Sequence, residues 1–253
     1  MLRRRIIPFL LVDKDNDCIK TTSFSDRKYI GDILNNIRIF NEKNVDEIVV
    51  LDIDASSNSY EPKLKLIKNI SSVCRMPITY GGGIKDLETS KRIISSGVEK
   101  ICLNSAIINN LELIKIISQE IGSQSLSVSL NFKKINDKYY FIDNSGKVID
   151  RNIFDFIEKV QNLGAGEIIF NSYSDDGKMS GYDLNFLDDV LNYVNIPSII
   201  VGGCSGYEDI KQLFLKHKNI AAGCSSIFIF KGKFKAVLIS YPSEKEKKYI
   251  SQS

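Results

Sequence analysis

Glycine and small hydroxyl residues gather at several points of this 253-residue chain in a pattern that could hold phosphate. Gly81-Gly82-Gly83, Asp176-Gly177 with Ser180-Gly181, and Gly202-Gly203 each follow a short apolar run. Without a Cβ, such residues let backbone N–H groups come close to a ligand, and a helix N-terminus just downstream adds partial positive charge. Asn104-Ser105 and Ser225-Ser226 stand at the ends of two further apolar runs. Gly83 with Asn104-Ser105, and Gly202-Gly203 with Ser225-Ser226, therefore make two candidate phosphate sites, together with Gly82 and Gly177. Two such sites suit an elongated substrate with a phosphate at each end. Glycines that only permit tight turns are the alternative. A second group is charged: Arg5, Glu47, Lys100 and Glu167 each stand immediately before an apolar run. From spacing alone they read as solvated charges flanking strands.

Other chemistries are poorly supplied. His217, the one histidine, lies in a lysine-flanked helical stretch and reads as a surface residue, which leaves little room for histidine acid–base chemistry or histidine metal sites. The five cysteines, Cys18, Cys74, Cys102, Cys204 and Cys224, are odd in number and lack metal-ligand spacing. They read as reduced thiols of a cytoplasmic protein, and no metal or other cofactor is expected. A net charge of +3 with scattered basic residues argues against nucleic acid. No apolar stretch reaches membrane-spanning length, and Pro8 and Asp13 cut short the first apolar segment, so neither a membrane partner nor a signal peptide is expected.

The elements that must position these residues are eight short strands: Ile6–Val12, Ile48–Ile53, Ile78–Tyr80, Ile101–Asn104, Leu126–Phe132, Ile168–Asn171, Ser198–Val201 and Ala221–Ser225. Between them lie amphipathic stretches such as Ile33–Asn44 and Leu111–Glu120, with apolar residues at helical spacing. Eight strand–helix units predict an α/β fold, a (β/α)8 TIM barrel, with the glycine clusters at the strands' C-terminal ends. The two halves look alike around Gly81–Gly83 and Gly202-Gly203, which points to a half-barrel internal repeat. Residues 1–253 read as a single barrel domain. Lys133–Asp150 reads as a hairpin insertion turning at Asp143-Asn144-Ser145-Gly146, and Ser243–Ser253 as a polar, frayed tail.

On these residues the chain resembles the cyclase subunit of imidazole glycerol phosphate synthase (HisF) over nearly its whole length. The matching segments include Arg5-Ile6-Ile7-Pro8, Leu51-Asp52-Ile53-Asp54-Ala55-Ser56, Gly81-Gly82-Gly83-Ile84, Leu163-Gly164-Ala165-Gly166-Glu167, Ser180-Gly181-Tyr182-Asp183 and Ser226-Ile227-Phe228. The resemblance implies a glutaminase subunit docked on the barrel floor, ammonia passing through the barrel, and a substrate with two phosphates at the top. It also gives the four charges a role. Arg5, Glu47, Lys100 and Glu167 match the family's ammonia gate.

Two departures bear on the chemistry. The family's acid and base are aspartates on strands 1 and 5. The strand 1 motif, Cys-Leu-Asp-Val, is here Phe9-Leu10-Leu11-Val12, and the strand 5 aspartate is Asn131. Lys20 and Asp176 match family positions and remain as catalytic candidates, whereas Val201 replaces a phosphate-motif serine. Leu10-Leu11-Val12 leading to Ile19-Lys20-Thr21 resembles a subgroup associated with surface-polysaccharide synthesis. There, ammonia is thought to reach a sugar amidotransferase that converts an acetamido to an acetamidino group. The expected function is accordingly an ammonia-channelling synthase subunit. The rivals are a true imidazole glycerol phosphate synthase subunit using Asp13, Asp54 or Asp176 as substitutes, and a non-catalytic phosphometabolite-binding barrel.

Overall fold

The protein is described here by a computed structural model covering residues 4–150, 152–217 and 219–251. Eight parallel strands form the barrel: β1 (Ile6–Val12), β2 (Ile48–Asp52), β3 (Ile78–Gly81), β4 (Lys100–Leu103), β5 (Leu126–Ile135), β6 (Glu167–Ser172), β7 (Ser198–Val201) and β8 (Ile220–Cys224). Each pairs with its neighbour in sequence. β8 returns to β1 in the register Ile6↔Ala222 and Pro8↔Cys224, so the sheet has no free edge. The eight-strand expectation and the TIM barrel hold, with strand ends shifted by a residue or a few.

Among the described residues, eight helices of seven residues or more cover the outside: α1 (Ile33–Glu42), α2 (Leu64–Val73), α3 (Leu87–Ile94), α4 (Glu112–Ile121), α5 (Ile153–Asn162), α6 (Leu184–Val190), α7 (Tyr207–Lys216) and α8 (Glu244–Ser251). Local chemistry starts several of them. Asp32, Asp86, Asn152 and Asp183 each accept a hydrogen bond from a backbone N–H of the first turn, an N-cap worth about 1 kcal/mol apiece.

Side chains alternate across the sheet, which divides the core in two. Ile6, Leu10 and Val12 face the helices and join the large outer core. Ile7 and Phe9 face inward and pack with Val49, Cys102, Ile169, Ile199 and Ala221, all at most 4% exposed. The same alternation carries Arg5 to the bottom of the bore and Leu11 to the top.

Three features differ from the sequence expectation or extend it. The segment after β1 is no simple loop. It is a hairpin of Asp17–Thr22 against Asp26–Asp32, turning at Ser23 and Phe24, which take φ of 53° and 59°. Its outer arm, Asp26–Tyr29, is exposed and carries no apolar alternation to read. Of the C-terminal segment, Glu244–Ser251 is helical rather than frayed, and residues 252–253 lie outside the described residues: Ile250 is fully buried, and Tyr249 donates to Glu208 on α7. His217 is half-buried beside Asp188, Nε2 to Oδ1 3.4 Å, and burial lowers its pKa below the usual histidine value. The hairpin near 133–150 is present. β5 runs on to Ile135, pairs with Lys138–Ile142, and Gly146 N–H closes the turn onto Asp143.

Candidate functional site

Arg5, Glu47, Lys100 and Glu167 converge inside the barrel's N-terminal end and close a square. Arg5 Nη1 lies 2.7 Å from Glu47 Oε2, and Nη2 lies 2.6 Å from Glu167 Oε1. Lys100 Nζ completes it at 3.0 Å from Glu47 Oε1 and 3.2 Å from Glu167 Oε2. Thr79 and Ser127 hydroxyls donate to Glu47 and Glu167 respectively. Every carboxylate oxygen is thus partnered, and two charges of each sign cancel. Both glutamate side chains are 5% exposed, while Arg5 and Lys100 keep 24% and 21%. Burial pulls the Glu47 carboxyl upward, but the charges of Lys100 and Arg5 and their hydrogen bonds outweigh it, so its pKa lies below the ordinary value. The charges are not the solvated strand-flanking residues that spacing suggested.

At the other end of the barrel the strand ends surround an open cleft of about 340 Å³. Two stretches of its rim repeat. Asn104 and Ser225 share one unusual backbone conformation, φ/ψ −140°/−82° and −132°/−71°, and each introduces a short helical turn, Ser105–Asn109 and Ser226–Ile229. Gly82 and Gly83 precede the first and Gly202 and Gly203 the second, all four with positive φ. Asn104 Oδ1 and Ser225 Oγ are buried without a hydrogen-bond partner. Gly203 also serves packing. A Cβ there would lie 2.0 Å from Gly181 O, the residue whose N–H donates to Gly203 O. The glycine clusters therefore combine close loop packing with a repeated cradle on opposite sides of the mouth.

The structure brings Lys20 and Asp176 together, Nζ to Oδ1 3.0 Å, with Lys20 only 5% exposed. Asp176 does more: its Oδ2 accepts from Thr21 Oγ1 and from Phe24 N–H, and its carbonyl accepts from Ser23 N–H. These bonds fasten the 17–32 hairpin over the mouth. Gly177 lies directly beneath it, where a Cβ would meet Thr21 O at 2.3 Å. Arg27 adds a two-pronged pair to Asp54, at 2.8 and 2.6 Å, and Phe24 stacks on Tyr173 at 4.6 Å.

Two positions of the cleft wall carry no charge. Leu11 lines the cleft from β1 and Asn131 from β5. Asn131 sits in an amide chain: Asn171 Nδ2 donates to Asn131 Oδ1 at 3.1 Å, Asn131 Nδ2 to Asn144 Oδ1 at 2.8 Å, and Asn144 Nδ2 to Ser105 Oγ at 3.2 Å. Neither Leu11 nor Asn131 can transfer a proton near neutral pH. The proposed substitutes fare little better. Asp54 is tied to Arg27, whose hydrogen bonds hold its pKa below the usual aspartate value. Asp13 Oδ1 accepts from the N–H groups of Asp15 and Asp17 and so shapes a turn. Sequence reasoning passed over Asp52, which lines the cleft. Burial raises its pKa, offset in part by Tyr60 and backbone N–H donors, and its Oδ2 has no partner. Cys102 also lines the cleft, but burial pushes its thiol up to about 12, so it is no nucleophile. Among the described residues, no cluster of His, Cys, Asp or Glu could hold a metal ion, and no helix is long and apolar enough to cross a membrane.

Comparison with known proteins bears on the fold and the family. The family described as histidine biosynthesis protein matches residues 5–235. The chain is 44% identical over 251 residues to the provisionally named imidazole glycerol phosphate synthase subunit hisF3 of Vibrio vulnificus (strain YJ016), covering 98% of this chain and 96% of that one. It is 42% identical over 244 residues to the provisionally named hisF2 subunit of Pseudomonas aeruginosa, covering 96% and 97%. It is 38% identical over 232 residues to the imidazole glycerol phosphate synthase subunit HisF of Chlorobium phaeovibrioides, covering 91% and 92%. With the barrel in place and matches running along nearly the whole chain, this protein belongs to the HisF family.

Proposed function

We propose that the chain is the ammonia-conducting synthase subunit of a glutamine amidotransferase complex. A glutaminase docks on the barrel floor, and its ammonia passes the charged ring and the bore to the mouth. There it serves a phosphorylated or nucleotide-activated sugar, whose acetamido group becomes acetamidino in polysaccharide synthesis, with a sugar amidotransferase as the further partner. The observation that carries this reading is the closed ring of Arg5, Glu47, Lys100 and Glu167 across the bore. A floor without traffic could be packed with apolar side chains at equal or lower free energy. Leu11 and Asn131 support the second half of the reading, because a mouth with neither acid nor base at these two strand positions is better suited to passing its nitrogen onward.

Mixing experiments test it. Purified barrel should alter the rate of its glutaminase partner, and Lys100→Ala should uncouple glutamine hydrolysis from product formation while the fold persists. A glutaminase rate unchanged by the barrel defeats the reading.

The retained Lys20–Asp176 pair supports a second reading, a cyclase subunit of imidazole glycerol phosphate synthase in histidine biosynthesis. Both readings place phosphates at Gly202, Gly203, Ser225 and Ser226 and at Gly82, Gly83, Asn104 and Ser105, with Gly177 beside them. Crystals grown with phosphate or sulfate should show an anion against one of these two cradles. An ordered anion confined to the floor would contradict the assignment.

A further inference from the structure

Above the charged ring the bore is lined by one apolar layer. Ile7, Val49, Ile199 and Ala221 all face inward and are at most 3% exposed. The cleft reaches down from the mouth to Phe9, Cys102 and Ile169, just above that layer. Phe9 thus puts a phenyl ring into the bore.

Gly223 is where the ring fits. A Cβ on Gly223 would lie 2.7 Å from Phe9 Cε2 and 2.5 Å from Val201 Cγ2. Its φ is not among the positive values, so the backbone does not call for glycine there. A glycine inside a strand costs stability unless something must approach closely. Here that something is the Phe9 ring. The opposite wall is polar: Ser129 and Asn131 of β5 line the cleft beside Cys102.

We propose that Phe9 is the door of the bore and Gly223 the recess in which it is parked. Held against Gly223, the ring leaves the Cys102–Ser129 side open. Pushed off Gly223, it crosses the axis and shuts the passage. A door and layer of hydrocarbon admit neutral ammonia and reject ammonium, which would have to shed its water without a counter-charge. This inference rests on the ammonia-conduit reading.

The test uses the assembled barrel, glutaminase and sugar-amidating enzyme, supplied with glutamine labelled with ¹⁵N in the amide and excess unlabelled ammonium. The isotope content of the product reports which nitrogen arrived. Wild type should deliver mostly label. Gly223→Ala should lower the labelled share by about tenfold or more, because the added methyl displaces the ring in a packed interior. Gly223→Ala with Phe9→Ala should restore it. The new methyl also meets Ile200 O at 3.0 Å. The double variant keeps that strain and removes only the ring, so recovery isolates the door. Phe9→Trp, which leaves β8 untouched, should block as well. An unlabelled product from wild type defeats the conduit reading itself. A labelled wild type with Gly223→Ala and Phe9→Trp equally labelled overturns the door, as does a Gly223→Ala block that removing the ring fails to relieve.

Discussion

Given ammonia and the histidine-pathway substrate, the purified barrel should turn over at least about 10³-fold more slowly than a HisF with both aspartates, since each general acid or base contributes roughly 10²–10⁴-fold. Leu11 presents a hydrocarbon where a proton must be transferred. Asn131 is worse placed than a bare substitution implies, because both ends of its amide are engaged, by Asn171 and Asn144. Restoring Leu11→Asp and Asn131→Asp together should recover part of the rate. The Lys20–Asp176 pair and both cradles are already in position. Asn171 can still donate to an aspartate at 131, while Asn144 must turn its amide around. Either single substitution should recover much less than the pair, because acid and base act as a unit. The measurement is kcat/KM with ammonium salt and no glutaminase. Turnover at the family's ordinary level would sink the sugar-amidation reading and direct attention to Asp52, the cleft carboxyl whose pKa burial raises.

The barrel was legible because its signals are local. Short apolar runs, amphipathic spacers and glycines at the strand ends each declare themselves within a few residues. The charged ring was not legible from spacing. Arg5, Glu47, Lys100 and Glu167 come from four strands, and nothing within any one strand says whether its first residue points inward. Only the family resemblance supplied that direction. The amide chain was missed for a related reason: Asn144 belongs to a hairpin tip that reads as turn chemistry, and its contact with Asn131 exists only once the hairpin folds over the mouth. The 17–32 hairpin escaped because its exposed arm has no apolar face. α8 escaped because a single buried residue, Ile250, anchors an otherwise polar segment.

The ring separates stability from function, and two substitutions should show it. Glu47→Ala removes one carboxylate and leaves Arg5 and Lys100 sharing Glu167 in a partly desolvated bore. Removing one partner of such a network costs about 3–5 kcal/mol, less whatever solvent reaches the two cations. For a chain of this size that corresponds to a fall in Tm of at most roughly 6–20 °C. The pH dependence has a definite sign. The folded-state pKa of Glu47 lies below its unfolded value, so its contribution is present above the ordinary glutamate range near 4.5 and fades as pH falls through the lower folded value. Asp54, held low by Arg27, acts in the same direction. Wild type should therefore lose stability on acidification below about pH 4.5, and Glu47→Gln should flatten part of that slope. Replacing all four ring residues together, Arg5→Met, Glu47→Leu, Lys100→Met and Glu167→Leu, should behave oppositely. No unpaired charge remains and the bore fills with hydrocarbon, so Tm should hold or rise. Glutamine-dependent product formation should nevertheless vanish, while product from free ammonium supplied at the mouth persists. A quadruple variant that still passes glutamine nitrogen would show that ammonia takes another route. One that unfolds would show that the ring is retained for stability rather than for passage.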